Sequence, residues 1–368
     1  MQDKDTYFMQ MALGLAEKGR GAVAPNPMVG AIIVKDGRII GSGYHEKIGE
    51  GHAEVNAFRS ATEDVAGATI YVTLEPCSHF GKTPPCSDKI IEKKIGRVVI
   101  AALDPNPLVS GRGVKKLQAA GIEVVTGILA EESSRLNEIF MKYIVKKEPF
   151  VVMKAAMSLD GKIATRIGES QWITGPAARE RVHQLRSALT GIMVGVQTVI
   201  MDDPQLTSRL PGGKNPVRII VDSTLCIPLE AKVLQNQDTA KTIIATTERA
   251  DRSKAARLEE AGIEILSVPA NDDGRTDLKA LMRALGERGI DSILLEGGAT
   301  LNFAALQAGI VDKVQVYIAP KLIGGETAKT PVGGEGIEKL SQAFSVIELK
   351  ASTVGEDILL EGYLSKNE

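Results

Sequence analysis

His52-Ala53-Glu54, followed by Leu74-Glu75-Pro76-Cys77-Ser78-His79-Phe80-Gly81-Lys82-Thr83-Pro84-Pro85-Cys86, is the stretch on which the reading of the chain turns. His52, Cys77 and Cys86 are three borderline or soft donors, the set that holds zinc while leaving one position open for a reacting water. Glu54 stands where the zinc deaminase pattern H-x-E…P-C-x-x-C keeps its non-ligand proton carrier, and a proline precedes each cysteine. The second half departs from that pattern, because eight residues rather than two separate Cys77 from Cys86. A closed structural zinc site is the alternative; it needs a fourth Cys or His, for which His45 and His79 are the nearby candidates.

Local structure decides whether these residues can meet. Two positions apart on a helix point roughly 200° from one another, so His52 and Glu54 share a site only where a helix begins and presents its first turn end-on. Pro85 suits a first helical position and places Cys86 in the first turn, where the helix dipole favours a thiolate. Upstream, Tyr7, Met11 and Leu15 recur at helical spacing until Gly19 and Gly21. Apolar runs at 29–34 and 38–43 flank Asp36-Gly37, a hairpin signal. Downstream, strands at 69–73, 97–103 and 122–125 alternate with helices at 85–94 and 114–120. Alternation of this kind predicts a helix-covered sheet with its site at the strand ends.

A helix is expected over 131–147, and Lys146-Lys147-Glu148-Pro149 then breaks the pattern, which divides the chain into domains 1–147 and 148–368. The second part alternates again, with strands at 150–156, 191–196, 217–222, 242–245, 264–268, 292–295 and 313–318 and a helix at 177–189. Its most informative turn is Glu296-Gly297-Gly298-Ala299-Thr300-Leu301-Asn302, where a strand passes through two glycines into a helix and backbone can approach a pyrophosphate. Without a full Gly-x-Gly-x-x-Gly that signal is weak.

Composition sets the outer bounds. The 368 residues, 43% hydrophobic and 24% charged, suit two soluble α/β domains. A net charge of −2 offers no field for nucleic acid and no polybasic face for a membrane. Three cysteines make no disulfide framework, so a cytoplasmic protein is expected. Met1-Gln2-Asp3-Lys4-Asp5 leads straight into an amphipathic pattern without a signal-peptide core, and no apolar run reaches the roughly 18 residues of a membrane span. Cys226 is expected to be a buried small hydrophobe, His183 to lie on an exposed helix face, and Ile323-Gly324-Gly325-Glu326 to form a turn.

Ala24-Pro25-Asn26-Pro27-Met28-Val29-Gly30, the His52 and Cys77 segments and Asp104-Pro105-Asn106-Pro107 resemble the deaminase half of the bifunctional riboflavin biosynthesis deaminase/reductases, where the long cysteine spacer is usual. The resemblance implies a cytidine deaminase-like α/β/α domain with one Zn2+ held by His52, Cys77 and Cys86. Glu54 is then the catalytic proton donor, and Asn26, His45, His79, Lys82, Asp104 and Asn106 line the pocket. Lys82 and the Thr83 hydroxyl suit a phosphate, or else form a solvated surface turn. The implied reaction is hydrolytic deamination of 2,5-diamino-6-ribosylamino-4(3H)-pyrimidinone 5′-phosphate to 5-amino-6-(5-phosphoribosylamino)uracil.

Lys154-Ala155-Ala156-Met157-Ser158-Leu159-Asp160-Gly161-Lys162, Ser170-Gln171-Trp172-Ile173-Thr174, Gly195-Val196-Gln197-Thr198, Asp202-Asp203-Pro204-Gln205-Leu206 and Glu296-Gly297-Gly298 resemble the reductase half of the same family. This implies a dihydrofolate reductase-like α/β domain that uses NADPH to reduce the ribosyl group to ribityl. By that resemblance Ala156, Trp172, Thr198, Asp202, Ser223 and Gly298, Ala299, Thr300, Leu301 and Asn302 contact NADPH. Lys154, Ser170, Arg186, Leu206, Arg209 and Glu296 contact the substrate. From the residues alone, Trp172 is either a stacking platform or core, and Arg186 belongs to a solvated helix face. Small phosphorylated pyrimidines are the implied partners, and a homo-oligomer is expected. Two rivals fare worse. A tRNA base deaminase calls for a basic surface, and a zinc-stabilised binding module has no need of Glu54.

Overall fold

Asp36 and Gly37, with φ of 50° and 76°, turn strand β1 (Gly30–Lys35) back onto β2 (Arg38–Tyr44), the two-residue hairpin the dipeptide predicts. The structure, a computed structural model, describes residues 4–78, 80, 84–106 and 109–365. It packs as two units, Met1–Lys147 and Glu148–Glu368. His79, Lys82 and Thr83 lie outside the described residues.

In the first unit β3 (Thr69–Leu74), β4 (Arg97–Ala102) and β5 (Glu123–Thr126) complete a sheet of order β2-β1-β3-β4-β5, antiparallel at the hairpin side and parallel from β3 onward. Its strands are apolar on both sides because both faces are covered. Ala31, Ile33, Val72, Val98 and Ile100 pack against α2 (Ala53–Arg59), α3 (Cys86–Glu92) and α4 (Arg112–Ala119). Ile32, Tyr71 and Val99 pack against α1 (Lys4–Ala16). Gly43 of β2 lets α2 come close, since a Cβ there would stand 2.4 Å from the Ala57 nitrogen.

The helix expected over 131–147 is two helices, α5 (Ala130–Leu136) and α6 (Glu138–Lys146), meeting at Asn137. The buried Asn137 amide explains the break. It accepts from Met28 N (2.8 Å) and donates to Met28 O (2.9 Å), so its side chain closes the loop before β1 as a neighbouring strand would.

Among the described residues the second unit holds nine strands: β6 (Phe150–Ser158), β7 (Gly191–Gly195), β8 (Val217–Val221), β9 (Thr242–Thr246), β10 (Glu264–Ser267), β11 (Ser292–Leu295), β12 (Lys313–Ala319), β13 (Val346–Val354) and β14 (Asp357–Leu364). The order is β10-β9-β8-β7-β11-β6-β12-β14-β13, parallel as far as β12 and antiparallel beyond. Helices α7 (Pro176–Ala188), α8 (Val196–Asp202), α9 (Arg252–Glu260), α10 (Leu278–Glu287) and α11 (Ala299–Gln307) connect several of them. The core joins Met153, Met193, Ile219, Ile293 and Leu295 of the sheet to Leu281, Leu285 and Ala305 of the helices.

The closing hairpin β13–β14 had no clear pattern in sequence, because β13 is exposed along its length and lacks a buried face. Cys226 is exposed rather than core. The Asp222 carboxylate accepts from Cys226 N (2.9 Å) and Ile227 N (2.8 Å), which turns the chain so that Leu225 and Ile227 point inward instead. Trp172 is likewise not core, its ring being 58% exposed. Among the described residues no helix is long and apolar enough to cross a membrane.

Candidate functional site

His52 is the residue just before α2, so its side chain leaves the helix end, and Glu54 in the first turn is buried beside it. Cys77 follows β3, and Cys86 opens α3 behind Pro85. The three donor atoms lie within 4.8 Å of one another. His52 Nδ1 is 3.7 Å from Cys77 Sγ and 3.3 Å from Cys86 Sγ. Donors roughly 2.0–2.3 Å from one tetrahedral ion stand about 3.3–3.8 Å apart, so the triangle has the size of a zinc site. A fourth Cys or His is not part of the cluster among the described residues. His45, the described candidate for that place, is held elsewhere. Its Nδ1 faces Gly51 O (3.3 Å), its Nε2 faces Asn26 Nδ2 (3.2 Å), and its ring meets that of His52 edge-on at 5.5 Å.

The electrostatics follow from crowding. Hydrogen bonds from the Cys86 thiol, and then from His52 and the Cys86 N–H, hold the Cys77 pKa down at about 4 despite burial. Cys86 is pushed up by the proton it shares with Cys77 and by burial. Burial, then the Cys77 charge, raises the Glu54 carboxyl, with His52 opposing. A carboxyl whose pKa is raised by burial is the kind that serves as a proton carrier.

Sequence reasoning missed Glu75 as a functional residue. Its buried carboxylate accepts four backbone N–H groups, from Asp104 (3.3 Å), Gly111 (2.9 Å), Gly113 (2.9 Å) and Val114 (3.2 Å). One side chain thus caps α4 and fixes the loop that carries Asp104 and Asn106, two residues from Cys77. Asp104 in turn accepts from Asn106 N (2.8 Å).

In the second unit Arg186 of α7 forms a fork with Glu296 beyond β11, Nε–Oε1 and Nη2–Oε2 both 2.7 Å, and its remaining nitrogen donates to Thr207 O (3.1 Å). The expectation of a solvated Arg186 is therefore corrected: the side chains of the pair are 14% and 11% exposed. Burial works to raise the Glu296 carboxyl, but Arg186, Lys154 and His183 outweigh it and hold it at about 2. Lys154 of β6 has its ammonium pushed down by desolvation, with Glu296 opposing. His183, expected on an exposed face, is partly buried, its Nδ1 has no partner, and desolvation and then Arg186 and Arg209 push its pKa down.

The glycine turn is built as a cradle. Gly297 has φ 88°, Gly298 N donates to Thr198 Oγ1 (3.0 Å), and Gly195 N donates to Gly297 O (3.1 Å). A Cβ on Gly298 would meet Thr198 Oγ1 at 3.3 Å. Asn302, in the first turns of α11, donates to Pro331 O (2.8 Å) and keeps a buried Oδ1 without a partner. The helix N-terminus and close backbone fit a dinucleotide phosphate, and the unused Asn302 Oδ1 suits a hydroxyl or amide donor of the same ligand. Thr198 and Gly298 meet beyond the ends of β7 and β11, with Asn302 a turn into α11, whereas Ala156 of β6 packs toward Tyr317 and Leu359 and the Ser223 hydroxyl is tied to Thr276 (3.0 Å). Trp172 lies under the Arg179 guanidinium, 4.8 Å from its ring centre. The 323–326 turn proves to be fastened: Asp160 accepts from Ser158 Oγ (2.6 Å), Ile323 N (3.0 Å) and Gly324 N (2.6 Å), which hold its carboxyl at about 2.

Comparison with known proteins agrees in both units. Residues 2–102 match the cytidine and deoxycytidylate deaminase zinc-binding region, and residues 149–360 match the RibD C-terminal domain. The riboflavin biosynthesis protein RibD of Actinobacillus pleuropneumoniae is 52% identical over 97% of this chain and 94% of its own, and that of Escherichia coli K12 is 42% identical over 97% and 98%. Acinetobacter baumannii RibD superposes with a TM-score of 0.86 at 39% identity, covering 99% of both chains. A Thermotoga maritima deaminase/reductase does so with 0.83 at 40% identity, covering 98% of this chain and 99% of its own. The chain belongs to the RibD family, the bifunctional enzymes of riboflavin biosynthesis in which a zinc-binding deaminase domain precedes an NADPH-dependent reductase domain.

Proposed function

We propose that Glu54 is the proton carrier of the deaminase and that His52, Cys77 and Cys86 are the zinc ligands. The observation that carries this reading is the donor triangle of zinc dimensions with a buried, raised carboxyl beside it. Zinc held there supplies a water whose pKa falls toward about 7. Glu54 takes one proton of the attacking water to a ring nitrogen and then carries the second, from the hydroxyl that becomes the new carbonyl, to the departing amine of 2,5-diamino-6-ribosylamino-4(3H)-pyrimidinone 5′-phosphate, released as ammonia. Asn26 and His45, already bonded to one another, and Asp104 and Asn106, placed by Glu75, orient the pyrimidine.

In the second unit NADPH supplies a hydride. Thr198, the Gly298–Asn302 turn, Ala156, Trp172, Asp202 and Ser223 are proposed to hold it; Lys154, Arg186 and Glu296, with Ser170, Leu206 and Arg209, are proposed to hold the sugar phosphate. Glu296 keeps Arg186 planar and facing the substrate, and the desolvated Lys154 donates a hydrogen bond to the carbonyl being reduced. The division of labour is 1–147 for deamination and 148–368 for reduction. A cytoplasmic homo-oligomer completes the proposal, supported by Val346, Ile347 and Leu349 on the exposed edge strand β13.

Metal analysis joined to ammonia and NADPH assays on one sample tests the assignment. Expected are one zinc per chain and both turnovers; a Glu54→Gln protein that keeps its zinc and still releases ammonia overturns the role of Glu54.

A further inference from the structure

A cavity of about 330 Å³ lies in the second unit between the loop 205–215 and the segment 232–240. Arg209, Arg218 and Lys232 line it with Thr207, Gln235 and Thr239, and no acidic side chain is among its described lining residues. Lys232 has its own counter-ion, since Nζ is 3.1 Å from the Asp203 carboxylate. Arg218 has none. It is 2% exposed, donates from Nη2 to the carbonyls of Gln235 (3.0 Å) and Ala240, and keeps a buried Nε–H with no partner. Desolvation alone accounts for the fall of its pKa to about 10. Buried charges are ordinarily paired and buried donors ordinarily bonded.

Arg218 stands apart from the sites above, which the cavity meets only on its Thr207 and Arg209 side. Arg218 is the second residue of β8, level with Ile192 of β7 and with Thr242, the first residue of β9. It therefore stands at the start of the parallel strands, whereas Glu296 and Gly298 follow the end of β11. Ligands of open α/β sheets gather at that second edge, so the catalytic cluster does not explain a cation at the first.

We propose that this cavity is an oxyanion site that takes a phosphate group, either inorganic phosphate or the phosphate of a small phosphomonoester, with Arg218 as its buried cation. The charge of a phosphomonoester, about −1.5 to −2 at neutrality, gives Arg218 the counter-charge it lacks among the described residues. The Arg218 Nε–H, left over once Nη2 has served two carbonyls, is a donor for one phosphate oxygen, and the Thr207 and Thr239 hydroxyls supply further donors.

Crystals of the full chain, grown without phosphate and soaked in tungstate, test the proposal. Expected is an anomalous peak within hydrogen-bond reach of Arg218 and Lys232, lost in Arg218→Met while peaks elsewhere in the molecule stay as internal controls. A cavity holding only water in the soaked wild type, or a peak unchanged in Arg218→Met, overturns it. If Arg218→Met does not fold, Lys232→Met and Thr239→Val change only the exposed side of the cavity. Each is expected to lower the occupancy of the peak at equal tungstate, and unchanged occupancy in both overturns the proposal. Co-crystals with ribose 5-phosphate and with inorganic phosphate separate the sources: sugar density continuous with the phosphate identifies a phosphomonoester, bare tetrahedral density identifies free phosphate, and neither ligand in the cavity overturns the site.

Discussion

The two polar clusters of this chain are built on opposite principles. The His52, Cys77 and Cys86 triangle brings soft donors together with no counter-charge of their own except the proton they share, so it is completed by a cation from outside. The Arg186–Glu296 fork is internally paired, one guanidinium on one carboxylate with Lys154 nearby, and is ordered before any ligand arrives. The first cluster is local, its donors falling within one stretch of chain, while the second joins residues 110 positions apart. A site that waits for a metal can be written as a short motif. One that pre-pairs its charges has to be assembled by the fold.

Substitutions can sharpen or break this contrast. The largest effect is expected from Glu54→Gln, which removes the proposed proton carrier and leaves the donors in place. Ammonia release should fall about 10²–10⁴-fold while NADPH oxidation on the deaminated substrate is retained, and a parallel loss of both activities would show that the units do not act separately. Next comes Glu296→Gln. Stranding Arg186 and Lys154 without their carboxylate should cost the second unit about 3–5 kcal/mol, read as a lowered thermal transition of that unit by calorimetry, with the zinc content of the first unchanged. An unaltered transition would mean that the fork serves only the ligand.

Glu75→Gln should destabilise the first unit by about 1–3 kcal/mol, because an amide oxygen cannot replace two carboxylate oxygens facing four N–H groups; the loss should appear in urea unfolding followed near Tyr71. The smallest expected effect is a pH dependence at Asp160. Its carboxyl sits at about 2 when folded, below the unfolded value of about 3.9. The clasp on 323–324 therefore contributes above pH of about 4 and is lost as pH falls toward 2. Faster amide exchange at Ile323 and Gly324 over that interval, and not above it, is the measurement. Exchange that is flat through the interval would leave the clasp without an electrostatic part.

Much of this organisation is legible in the residues. The hairpin at Asp36-Gly37, the strand–helix alternation, the helix starts that carry His52 and Cys86, and the glycine turn before α11 all follow from local rules that repeat with a period or use a particular residue. What stayed hidden were side chains whose partners are backbone groups far along the chain. Glu75 sits in plain view beside Pro76 and Cys77, yet nothing nearby in sequence says that it will gather four amides from 104 to 114. Arg186 shares a helix with Arg179 and Arg181 and differs from them only in the direction it faces. The exposed strand β13 has no buried face to impose alternation, so the pattern that reveals other strands is missing there.

The link between Asn137 and Met28 bears on how the first unit is made during synthesis. A nascent chain that has emerged through β5 already contains all three metal donors and every strand of the sheet. Met28, two residues after Asn26, still has its backbone groups unmet at that stage, because the amide that accepts from one and donates to the other arrives only at position 137. The loop that carries Asn26 is thus latched by the last helices of the unit, immediately before translation enters the second unit.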